Sequence, residues 1–123
     1  MKSLQKTLQV LKDELQFVQQ GGYRAPLAWR APLVFEDSPR CPKEPASACP
    51  DMDCVLMKFV PKECRHETVP CRHIPLNELG ETLDNLYRTG TSEEIDQTLQ
   101  SWLLETIRQL EETCERLWLQ KAA

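Results

Sequence analysis

Leucine and valine recur at steps of four, three, four and three near the start of the chain, as Leu4, Leu8, Leu11, Leu15 and Val18. At 3.6 residues per turn this spacing draws the five side chains into one narrow stripe, on a Gln, Lys and Glu background that favours helix. Residues 1–20 are therefore predicted as an N-terminal amphipathic helix, with an apolar length of roughly 25 Å. Ser3 can cap its start, and Gly21-Gly22 can end it where left-handed backbone geometry costs little.

The same period returns at the other end. Over residues 91–120 the stripe comprises Leu99, Leu103, Ile107, Leu110, Cys114 and Leu117, broadened by Trp102, Leu104 and Trp118. Thr91 precedes Glu94 by three positions, the spacing of a reciprocal capping box. A wide stripe predicts a C-terminal helix that touches more than one neighbour. A shorter helix is expected over residues 77–90, capped by Asn77, with Leu79, Leu83 and Leu86 on one face and Gly90 at its end.

Between the helices the period disappears. Residues 21–50 repeat Arg-Ala-Pro-Leu at 24–27 and 30–33 and carry further prolines at 39, 42, 45 and 50. Proline fixes φ, removes a donor and biases its predecessor toward extended geometry, so this stretch is expected to be an extended strap. Its apolar side chains (Tyr23, Leu27, Trp29, Leu33, Val34 and Phe35) should lie along the helices. Residues 41–76 form a cysteine-rich loop region with a short apolar run at 55–60, too brief to distinguish strand from helical turn. The expected fold class is mainly α: terminal amphipathic helices packed as a hairpin or bundle around a Pro/Cys-rich, metal-binding middle and one short helix. All 123 residues fit one domain.

Charge narrows the partners. A formal net charge of −4, with Lys and Arg scattered among acids, argues against nucleic acid. No apolar run approaches the ~20 residues of a membrane span, and the first residues lack the apolar core of a secretory leader. The expectation is a cytoplasmic protein whose helices engage a protein partner or self-associate, a dimer being one outcome.

That compartment gives the six cysteines their meaning, because a reducing pool disfavours disulfides and leaves thiols for metal, catalysis or the core. Five of them fall in the middle: Cys41, Cys49, Cys54, Cys64 and Cys71. Both histidines, His66 and His73, lie two positions beyond a cysteine. Thiolate and imidazole are the donors preferred by zinc and by iron–sulfur centres. The favoured ligand set is Cys41, Cys49, Cys54 and Cys71, each in or beside turn chemistry, with Cys64, His66 or His73 as alternative ligands or outer partners. A compact set of Cys64, His66, Cys71 and His73 competes, but it demands a tight hairpin and leaves three cysteines without a role.

Four thiolates suit zinc and a 4Fe-4S iron–sulfur cluster alike, with zinc preferred as the commoner ion of closed structural sites. No phosphate-cradling loop, nucleophile elbow or HExxH motif occurs. The expected function is thus a small, non-enzymatic, zinc-stapled interaction or accessory module. Electron transfer or thiol redox sensing, with Cys64 or Cys71 activated by neighbouring Arg and His, is the alternative.

Overall fold

A computed structural model describes residues 2–24, 32–39, 41, 48–49 and 54–122. Leu27, Trp29 and the prolines at 26, 42, 45 and 50 lie outside the described residues.

The N-terminal stripe forms helix α1, Lys2–Gln19. Ser3 lies inside this helix and is not its cap. Its hydroxyl accepts a hydrogen bond from Nζ of Lys58 at 2.8 Å, while its carbonyl accepts from the Thr7 hydroxyl. Gly21 ends α1 at φ +82°. Its amide donates to the Val18 carbonyl and that of Gly22 to Phe17, a paired closure that satisfies two end carbonyls of the helix.

The C-terminal stripe forms α3, Ser92–Ala122. Thr91 Oγ1 accepts from the Glu94 amide at 3.1 Å, and the Glu94 carboxylate accepts in return from the Thr91 amide, so the expected capping box is present. Arg24, just beyond α1, pairs with Asp96 in the first turns of α3 at 2.9 Å, and Lys12 pairs with Glu111 at 3.2 Å. As one residue number falls the other rises, so the two helices pack antiparallel. Leu8, Leu11 and Val18 share one buried core with Leu99, Leu103 and Ile107.

The third layer is made of short turns. Three 3₁₀ turns, Val55–Phe59, Lys62–Cys64 and Pro70–His73, resolve the ambiguous apolar run as helical turn. Leu56, Val60, Ile74 and Leu76 carry this layer into the core. Trp102 of α3 meets the rings of both Phe35 and Phe59, with centroids 6.1 and 5.3 Å apart, which is the second neighbour that its wide stripe implied. Among the described residues there is no strand, and no helix is long and apolar enough to cross a membrane.

Three expectations are corrected. The short helix α2 spans Leu83–Thr89 and is capped by Thr82 with Asn85, not by Asn77. Gly80 sits at φ +75°, which breaks any helix running from 77. Asn77 instead accepts the amides of Leu79 and Glu81 within a turn, leaving Leu79 85% exposed. The described part of the strap is not extended either. Residues 33–38 fold back tightly, with the Glu36 amide on the Val34 carbonyl and Phe35 between them at φ +67°. Val34 and Phe35 nevertheless enter the core as expected. Finally, Leu104 and Trp118 do not widen the packed stripe. Leu104 lies about 100° around the helix from Leu103, and Trp118 is 63% exposed near the end of α3.

Candidate functional site

Four cysteines line one cavity. Cys71 lies in the 3₁₀ turn that Pro70 opens. Cys54 immediately precedes the Val55–Phe59 turn, where its carbonyl accepts the Met57 amide. The Cys49 amide donates to the Thr68 carbonyl at 2.9 Å, which binds that segment to the approach to Pro70. The Cys41 amide donates to the Ser38 carbonyl at 3.1 Å, so Cys41 continues the folded-back loop of Phe35. The cavity has a volume of about 70 Å³, and apolar side chains such as Val10, Phe35, Leu56 and Met57 complete most of its wall.

All six cysteines carry thiols. The Cys71 thiol is pushed up to about 12, first by burial, then by the Glu36 carboxylate, and then by Cys41, Cys49 and Cys54. Burial and neighbouring negative charge both disfavour a thiolate, and a cation among the sulfurs opposes both. The four side chains supply sulfur donors, the type that zinc and iron–sulfur centres take. The sulfurs share the cavity without closing on a point: among the described residues no group of three or more Cys, His, Asp or Glu side chains is arranged to hold a metal ion.

Cys64, His66 and His73 do not line this cavity. Cys64 is half-buried against the core, His66 is exposed and His73 is half-buried. Cys114 packs on the apolar side of α3. Of the two arginines that follow cysteines, Arg65 is exposed, whereas Arg72 grips the buried carboxylate of Glu36.

Sequence reasoning missed a polar group on the cavity wall. Glu14 of α1 is only 5% exposed and lines the cavity beside Val10, one helical turn earlier. It accepts hydrogen bonds from the Tyr23 hydroxyl at 2.8 Å and from the Ser38 hydroxyl. Tyr23 in turn accepts the Phe35 amide at 2.9 Å, and Tyr87 accepts the Val34 amide at 2.9 Å. Two phenols thus hold the folded-back loop at the adjacent amides of Val34 and Phe35. In the sequence, Glu14 resembles any solvated glutamate, and only its four-residue step from Val10 hints at burial.

Fold and site together define a mainly helical, cysteine-rich protein with a thiol-lined cavity beside its helical hairpin. No family model, curated protein or solved structure matches the chain.

Proposed function

We propose that this protein is a small, non-enzymatic accessory module whose thiolates of Cys41, Cys49, Cys54 and Cys71 hold a structural zinc ion. The observation that carries this reading is the shared cavity: four cysteines between residues 41 and 71 all line it. Zinc bound there would neutralise thiolate repulsion and cross-link the turns, adding folding energy that short 3₁₀ segments lack. The apolar walls also favour a second reading, a shielded 4Fe-4S cluster serving electron transfer or redox sensing. A reducing cytoplasm suits either centre, and the helices would serve to meet a protein partner or a second copy.

Metal analysis of protein expressed without a histidine tag, beside a Cys54→Ser variant, tests the proposal. Stoichiometric zinc that is lost together with ordered structure in the variant supports it. Iron, sulfide and broad visible absorption would replace zinc with the cluster. A freshly isolated, well-ordered and metal-free chain overturns both readings.

A further inference from the structure

The Glu14 carboxylate lies on the wall of the thiol cavity, yet each of its oxygens is taken by a hydroxyl: Oε2 by Tyr23 and Oε1 by Ser38. A carboxylate engaged in this way is poorly placed to serve as a ligand. It is well placed to hold what those hydroxyls belong to. Ser38 is three residues from Cys41, and its carbonyl accepts the Cys41 amide. Tyr23 accepts the amide of Phe35, whose ring also lines the cavity. The loop from Phe35 to Cys41 is thereby fastened to α1 at two points, both converging on one side chain.

The need for a fastening is visible in the backbone. Phe35 occupies the left-handed region at φ +67°, a conformation that costs a side-chain-bearing residue energy and persists only where its surroundings enforce it. No helix or strand spans residues 33–39 to enforce it. The tertiary hydrogen bonds do so instead, and the Ser38 carbonyl, which accepts the Cys41 amide, ties Cys41 to the same fastening.

We infer that Glu14 is the positioning residue of the thiol site, holding the Cys41 loop against α1 through Tyr23 and Ser38. The inference rests on the four-thiolate reading, and it adds that the site is assembled partly by the hairpin and not by the cysteine turns alone. Groups that orient metal ligands from outside the coordination sphere typically cost 10–100-fold in affinity when removed.

The test uses the full chain with Co²⁺ in place of zinc, since the thiolate-to-cobalt absorption intensity reports how many sulfurs are bound, together with zinc competition against a chromophoric chelator. The parent should show the four-thiolate spectrum. Tyr23→Phe, which keeps the ring and removes only the hydroxyl, should fall toward the three-thiolate intensity and release zinc about 10–100-fold more readily. Should Tyr23→Phe fail to fold, Ser38→Ala carries the same test and the same expectation. Leu103→Ala, which weakens the hairpin core away from the cavity, is the control: it should lower stability while keeping the four-thiolate spectrum. If the hydroxyl variants keep the parent spectrum and bind zinc within about twofold of it, or if Leu103→Ala alters both readouts as much as they do, the inference is overturned and the zinc site stands. A parent chain that takes up neither ion overturns the site itself.

Discussion

Arg72 reaches the carboxylate of Glu36 through both Nε and Nη2, at 2.7 and 2.9 Å, and the Glu36 side chain is only 3% exposed. The pair links the turn that carries Cys71 to the loop that leads to Cys41, one residue away from Cys71 on one side and next to Phe35 on the other. Removing the cation leaves a buried carboxylate short of its strongest partner, which costs more than the pair contributes while intact. Arg72→Met should therefore lose on the order of 2–4 kcal/mol in urea unfolding. The double change Arg72→Met with Glu36→Leu should recover most of it. A double variant no more stable than the single one would contradict this account.

The packing at α3 should separate two adjacent leucines. Leu103 is fully buried and Leu104 is 52% exposed. Leu103→Ala should cost about 2–5 kcal/mol, as cavity-forming changes in cores do. Leu104→Ala should stay within about 0.5 kcal/mol of the parent. Chemical denaturation of both variants reads the difference directly.

Phe35 offers a sharper test, because two effects oppose each other there. Phe35→Ala removes a core ring and keeps a Cβ in the left-handed region, for an expected loss of about 3–5 kcal/mol. Phe35→Gly removes the same ring but relieves the backbone, so it should be more stable than the alanine variant by about 1 kcal/mol. At an ordinary position the order is the reverse. An alanine variant as stable as the glycine variant would place the backbone outside that region.

Alkaline titration reads the two phenols without interference, since Tyr23 and Tyr87 are the only tyrosines in the chain. Burial above all, with the Glu14 carboxylate beside Tyr23, holds Tyr23 well above the ordinary value near 10, and burial raises Tyr87 likewise. The folded state then keeps protons that the unfolded chain releases above about pH 10, so stability is unaffected below that pH and declines as pH rises past it. Tyrosinate absorbance should appear only with cooperative loss of helix. Its appearance at pH 10 in a chain that remains folded would show that the hydroxyls do not clasp the loop.

The elements that became regular structure were legible because their signals are local. Leu4 to Val18 and Leu99 to Cys114 state a helical period, Thr91 and Glu94 a cap, and Gly21 a stop, each within a few residues of chain. The choice of Cys41, Cys49, Cys54 and Cys71 rested on the turn residues beside them, and these four are the thiols that line the cavity. Where a single residue changed the local geometry the reading failed: Gly80 moved the start of α2, and the left-handed Phe35 turned a supposed strap back on itself. Burial of Glu14 had only its step from Val10 as a local signal, and the grip of Arg72 on Glu36 had none. By itself, the amino-acid order determined which stretches are helical and where they stop, since period and caps act over short distances. Tertiary structure alone decided that Tyr23 and Ser38 meet on Glu14 and that Cys41, Cys49, Cys54 and Cys71 line one cavity. Those outcomes depend on how the antiparallel hairpin and the turns pack against each other.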